Sequence, residues 1–243
     1  MNPRRTAFLG VVLSAFVITT RLYAAEVKQP AAAGSFYPSS PAQLSAAVKT
    51  YLDAAKPPAE ARNKKIFALI SPHAGYEFSG RTAANGYKLI QGKAYRTVVV
   101  IGPSHYYGFR GISVYPQGTF RTPLGDIQVD EAFAAKLAGP GTGFEPRAFE
   151  REHSVEVQLP FLQTVLKDFR IVPVVMGRCS YEDCAGLASR IAKASGGRED
   201  VLVVGSSDLY HGYDYNECDA VDARTLSYIQ KMDAKGLYNG IED

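Results

Sequence analysis

Residues 98–109 read VVVIGPSHYYGF. Three valines and an isoleucine in succession make a short, β-branched apolar run, the pattern of a strand buried on both faces. Gly102 and Pro103 end the run, and His105 follows two residues later. Strands buried on both faces belong to largely parallel sheets covered by helices, and in such sheets ligands bind where the strands end in loops.

The same grammar recurs on either side. KIFALISPHAGYEFSG (65–80) leads into RTAANGYKLI, FRIVPVVMG (169–177) into SYEDCAGLASRIAKAS, and DVLVVGSSDLYHG (200–212) into NECDAVDARTLSYIQKM. Apolar runs alternating with helix-compatible stretches predict an α/β fold, a mixed, largely parallel central sheet flanked by helices. ISVYPQGTFRTPLGDIQVD (112–130) alternates and carries Pro and Gly, which predicts an antiparallel hairpin. SVEVQLPFLQTVL (154–166) reads as an amphipathic helix that Pro160 kinks or divides. Upstream, Ser39 or Ser40 can cap a helix with Pro41 in its first turn.

The 243 residues suffice for one large domain, expected over 25–243. Residues 1–24 read as a secretory signal peptide: Arg4 and Arg5 precede AFLGVVLSAFVITT, and Ala24 offers a small cleavage residue. The apolar stretch is short for a membrane span, so export, to a periplasm, is expected without a lasting membrane anchor. Lys and Arg number 27 against 24 acidic residues; cleavage would remove Arg4, Arg5 and Arg21 and leave 24 against 24. A neutral domain without a basic block gives no reason to expect nucleic acid. Cys179 and Cys184 in CSYEDC could close a local disulfide or remain thiols with Cys218.

All four histidines fall in strand-end or turn motifs: His73 in SPHAGY, His105 in GPSHYYG, His153 in EREHSVE and His211 in SSDLYHG. A lone histidine after a strand is most often a satisfied turn residue, but convergence on one sheet edge is what a metal or acid–base site requires. Gly75, Gly80, Gly102 and Gly108 suit tight turns, and Pro72 and Pro103 stiffen the backbone before His73 and His105. Asp208 could orient His211, ligate, or cap the next helix. Glu152 and Glu156 are either acceptors behind His153 or a solvated helix start, and Glu156 suits the latter. Tyr76, Tyr106, Tyr107 and Tyr210 could line a pocket for a phenolic or other planar ligand, or pack in the core.

AGSFYP, SPHAGYEFSG, GPSHYYGF, RTPLGDIQVD, EHSVEVQLPF and SSDLYH stand in the order seen in the Memo family, which includes the AmmeMemoRadiSam system protein B group. The resemblance runs from Ala33 to about Met232. It implies a fold similar to class III extradiol dioxygenases, in which two histidines and a carboxylate hold non-haem iron. Memo proteins resemble these with two histidines and a cysteine, and with iron or copper linked to redox activity. By motif, His73 and His105 match the metal-binding histidines, His211 and Asp208 match polar pocket residues, and His153 matches a further pocket-side motif. The family's Cys-Gly motif has no counterpart here, and none of Cys179, Cys184 and Cys218 stands in its context, so the domain is expected to be C-terminally incomplete.

The functional expectation is a metal-dependent oxidoreductase using iron or copper, with His211, Asp208 and His153 as catalytic residues and a small molecule or peptide as partner. The alternative is a non-catalytic protein holding a peptide or metal in the same pocket. Metal-assisted hydrolysis, with His211 or Glu152 as base, ranks third.

Overall fold

The structure is a computed structural model that describes residues 27–240; the expected signal peptide lies outside the described residues. In chain order, β1 (Val27–Lys28) precedes α1 (Pro41–Ala54), β2 (Ala68–Ser71), α2 (Tyr76–Ile90) and β3 (Thr97–Pro103). Then come β4 (Ile112–Val114), β5 (Thr119–Thr122), β6 (Gly125–Gln128), α3 (Glu131–Lys136), β7 (Thr142–Gly143) and α4 (Arg147–Glu150). The chain continues with α5 (Leu159–Val165), β8 (Arg170–Met176), α6 (Tyr181–Ser195), β9 (Val201–Ser206), α7 (Tyr215–Gln230) and α8 (Ala234–Gly240). None of these helices is long and apolar enough to cross a membrane.

Six strands form the central sheet in the order β2-β9-β3-β8-β4-β7, in which β2, β9, β3 and β8 are mutually parallel and β4 runs antiparallel to β8. The alternating segment supplies the expected hairpin, β5 against β6, with β1 added to form a small second sheet. Pro173 sits inside β8 with neighbours on both sides, a place proline usually avoids. Its carbonyl accepts from the Tyr115 amide, and the reciprocal bond is the one proline cannot donate. β4 ends at Val114, one residue earlier, so the missing donor costs no ladder bond.

Val98, Val99 and Val100 are fully buried, as the opening stretch implies. α1, α2 and α5 pack together with α2 against β2, while α3 packs on α6 and β8. Ser40 caps α1, its hydroxyl accepting from the Gln43 amide, with Pro41 in the first turn. α2 starts at Tyr76, before the stretch that reads most clearly as helix, with Gly75 as its N-cap.

The structure corrects or decides four expectations. Residues 154–166 are divided at Pro160 as expected, a 3₁₀ turn, Glu156–Gln158, preceding α5 with Pro160 in its first turn, but the stretch is not an amphipathic surface helix, since Glu156 through Leu162 are all buried. Glu156 is thus no solvated helix start; it accepts from the Ala31 and Ala32 amides and the Tyr37 hydroxyl, with Lys28 Nζ at 3.6 Å. Gly80 is not a turn residue but lies inside α2, where a Cβ would meet the Tyr51 ring at 2.8 Å. Cys179, Cys184 and Cys218 are free thiols, so CSYEDC carries no disulfide.

Gly102 lies within β3, and its missing side chain makes room for Ser154: a Cβ there would stand 2.8 Å from Ser154 Cβ and nearer still to its hydroxyl. Gly102→Ala is therefore expected to destabilise the protein by roughly 1–3 kcal/mol through overpacking against backbone-anchored atoms. Urea unfolding measures this, and an unchanged midpoint would show that the 154 segment moves freely.

Candidate metal centre

Because β2, β9 and β3 are adjacent and parallel, their carboxyl ends lie side by side. His73 follows β2, Asp208 and His211 follow β9, and His105 follows β3. His153 arrives from outside the sheet, on the segment between α4 and α5. The structure brings His73, His105 and His153 together, with one candidate ligand nitrogen from each lying within 4.8 Å of the others. His73 and His153 are buried, while the His105 side chain is 36% exposed and forms the open side.

Hydrogen bonds decide which ring nitrogens are free. Gln158 Nε2 donates to the Pro72 carbonyl at 2.9 Å, which orients its amide, and its Oε1 accepts from the Tyr87 hydroxyl. The same Nε2 donates to Ser206 Oγ at 2.7 Å, and Ser206 Oγ donates to the Ser154 carbonyl at 2.5 Å. With its own proton so used, Ser206 Oγ, 3.0 Å from His73 Nδ1, must accept from it. His73 is therefore the Nδ1–H tautomer, and its Nε2 lone pair is free.

Glu152 does the same for His105. Its Oε1 stands 2.9 Å from His105 Nδ1, and its other oxygen accepts from the His105 amide at 2.6 Å. Oε1 also accepts from the amides of His153 and Ser154 at 3.0 and 2.8 Å. Burial alone would push the Glu152 carboxyl up, but the His105 amide and ring N–H and the Ser154 amide outweigh it and hold the group below its usual range. A carboxylate that takes a histidine's Nδ1–H orients the ring and raises the basicity of the other nitrogen, the usual support behind metal-binding imidazoles.

His153 lies between two rings, Phe36 at 4.2 Å and His105 at 4.3 Å, with the Tyr106 ring edge-on at 5.7 Å. Its Nδ1 is buried without a hydrogen-bond partner. An orphaned buried polar atom costs free energy, which a bound cation would recover. Burial lowers the His153 pKa to about 4, against the pull of Glu152 and with repulsion from His105 and His73. Burial likewise lowers that of His73, partly offset by Asp208. Neutral imidazoles are the form that binds metal.

The remaining expected residues divide. Asp208 does not cap α7, whose N-cap is Asp214; its Oδ1 holds the SPHAG turn by accepting from the His73 and Ala74 amides at 2.6 and 3.3 Å. Its Oδ2 stands 4.0 Å from His73 Nε2 and 3.5 Å from His211 Nε2. His211 itself is exposed, with Nδ1 2.8 Å from the Leu209 carbonyl, and lies outside the three-histidine cluster. Of the four tyrosines only Tyr106 borders the cluster. Tyr76 donates to the Val157 carbonyl in the core, Tyr107 stacks on Phe109, and Tyr210 bonds Glu217. Cys179 donates to the Gly111 carbonyl and Cys218 to Asp222, and no cysteine joins the cluster. A cavity of about 660 Å³ between Phe36, Tyr51 and Arg81 contains none of the histidines.

Fold and site together define an α/β protein with a three-imidazole cluster, able to hold a metal ion, at the ends of parallel strands. The Memo-like protein family model matches residues 28–243, and the chain belongs to the Memo family. It is 36% identical over 217 residues to a MEMO1 family protein of Archaeoglobus fulgidus, covering 88% of this chain and 79% of that one. MEMO1 family proteins of Caldivirga maquilingensis (35% over 223 residues, 87% and 78%) and Saccharolobus solfataricus (36% over 227 residues, 88% and 80%) are similar.

The depressed His153 pKa has a definite sign in stability. The unfolded chain protonates this ring near pH 6.5 and the folded metal-free chain near 4, so its contribution is full above 6.5 and is lost as pH falls towards 4. Thermal midpoints of chelator-treated protein should fall across that window, and His153→Gln should flatten this part of the fall. An identical slope in the variant would show that His153 titrates normally.

Proposed function

We propose that His73, His105 and His153 hold one iron or copper ion and that the loaded protein is an oxidoreductase acting on a small molecule. The observation that carries this reading is the pair of fixed tautomers: Ser206 and Glu152 take the Nδ1 protons of His73 and His105, leaving two Nε2 lone pairs free in a cluster whose third ring, His153, has a buried Nδ1 without a hydrogen-bond partner. Imidazole sets of this kind suit copper, iron and zinc, and the resemblance to redox-linked relatives favours the first two. When bound, such an ion would supply Lewis acidity and one-electron chemistry.

The chain's own residues do the rest. Glu152 and Ser206 keep two rings aimed, and Phe36 and Tyr106 wall His153 from water. His211, open to solvent and 3.5 Å from Asp208 Oδ2, is placed to carry protons between solvent and the site, with Asp208 orienting it. Export of the chain, read from residues 1–24, is part of the proposal.

Elemental analysis after anaerobic reconstitution tests the site. One equivalent of iron or copper is expected in the wild type and in His211→Ala, against a sharp loss in His105→Ala and His153→Ala with circular dichroism unchanged. Unchanged stoichiometry in His105→Ala would sink the assignment. Glu152→Gln should bind metal roughly 10–100-fold more weakly while retaining all three imidazoles, as measured by chelator competition. A stoichiometric metal with no oxygen consumption across phenolic substrates would favour the non-catalytic reading.

A further inference from the structure

A cavity of about 660 Å³, within the size range of small-molecule pockets, opens between residues 34–39, α1 and α2. Its walls are aromatic, formed by Phe36, Tyr37, Tyr51 and Tyr76. Hydrogen bonds hold three of these in place. The Phe36 carbonyl accepts from the Tyr76 amide at 2.8 Å, the Tyr37 hydroxyl donates to Glu156, and the Tyr76 hydroxyl donates to the Val157 carbonyl. Tyr51 is seated differently. Gly80 lies inside α2, where glycine weakens a helix relative to alanine, and a Cβ there would meet the Tyr51 ring at 2.8 Å. Helix stability is given up at that position, and one ring reaches the cavity wall as a result.

Two opposite charges line the same cavity, Glu77 and Arg81, both exposed. They stand four residues apart on α2, a spacing at which acid and base commonly pair, yet among the described residues neither takes part in an ion pair. Neither side chain makes a hydrogen bond there, and the Tyr51 hydroxyl is likewise without a partner. The cavity therefore offers one guanidinium, one carboxylate and one hydroxyl beside an aromatic wall. A ligand with a single charge leaves one of the two charged groups unmet, whereas a ligand with both charges satisfies them together. One helical turn sets the two Cβ atoms about 5–6 Å apart, and both side chains are long, so an ammonium and a carboxylate on one carbon fit between their heads.

We propose that this cavity binds a small zwitterion, an α-amino acid with a large apolar side chain, its carboxylate on Arg81, its ammonium on Glu77 and its side chain against the rings of Phe36 and Tyr51. A guanidinium takes a carboxylate through two parallel N–H bonds, which gives the amino acid one orientation. None of the four histidines lines the cavity, so the inference is independent of the metal-site reading. Phe36 is shared between the two places, lining the cavity and stacking on His153 at 4.2 Å.

Calorimetry on chelator-treated protein tests this with four probes: L-phenylalanine, 3-phenylpropanoate, which lacks the ammonium, 2-phenylethylamine, which lacks the carboxylate, and glycine, which lacks the ring. L-Phenylalanine is expected to bind the wild type at least about tenfold more tightly than each of the others, through a charge-assisted hydrogen bond or the buried ring that each of them loses. Arg81→Gln should bring L-phenylalanine down to the level of the amine on the wild type, and Glu77→Gln to that of the acid. Both positions are exposed, so both variants are expected to fold. Ala47→Trp, which fills the cavity from α1, should abolish binding, and where that variant does not fold the two exposed ones carry the test. The inference is overturned if L-phenylalanine does not bind the wild type, if the acid, the amine or glycine binds as tightly, or if its affinity is unchanged in both Arg81→Gln and Glu77→Gln.

Discussion

A buried carboxylate without a permanent cation organises this site. Glu152 is 4% exposed, and the desolvation it suffers is met by four N–H donors from His105, His153 and Ser154. Such a group is tolerated only when every lone pair is used, so the backbone around it has little freedom. Because two of the donors belong to the loop after β3 and two to the segment before α5, one side chain joins two parts of the chain 47 residues apart. The His105 and His153 rings stack on each other as a consequence of that junction.

Ser154 performs the complementary task from the same segment. Its hydroxyl donates to the Pro103 carbonyl at the end of β3, and its carbonyl accepts from Ser206 at the end of β9. Gly102 is what allows so close an approach, since any side chain there would occupy the space of Ser154. The third histidine is thus held by the ends of the same strands that carry the first two. A loop-borne imidazole gains the precision of a sheet-borne one because its neighbours are pinned to the sheet.

Much of this was legible in the sequence. The all-buried β-branched runs announced the parallel strands, because no other environment uses Val98 to Val100 that way, and the hairpin was visible in its alternation. Strand-end positions marked His73, His105 and Asp208, since a parallel sheet collects those ends whatever the strand order. The helices' alignment with the core was harder to read. Gly80 looks like punctuation until Tyr51 is seen against it, and Glu156 looks like surface until the N-terminal segment folds over it. Both are contacts across more than 25 residues, which periodicity does not register. The buried relay from Tyr87 through Gln158 to Ser206 and His73 was equally invisible, although one signal existed: Gln158 is a polar residue within an otherwise apolar stretch, and a fully buried amide there needs partners.

The same relay explains why His153, rather than His211, completes the cluster. His211 follows β9 and shares the strand-end signature, but its ring is exposed and meets Asp208 and a local carbonyl instead of the other imidazoles. His153 lacks that signature, yet Phe36 closes over it from the N-terminal segment, and Phe36 is kept there by Glu156, which takes the amides of Ala31 and Ala32 and the Tyr37 hydroxyl. The third imidazole therefore depends on two buried glutamates four residues apart, one fixing its backbone and the other fixing its lid. Occupation of the cluster by an ion would reinforce both contacts, because binding free energy that requires the assembled site is also folding free energy. On this arrangement the N-terminal segment is the part of the fold whose stability is most directly coupled to the site, although it contributes no ligand to it.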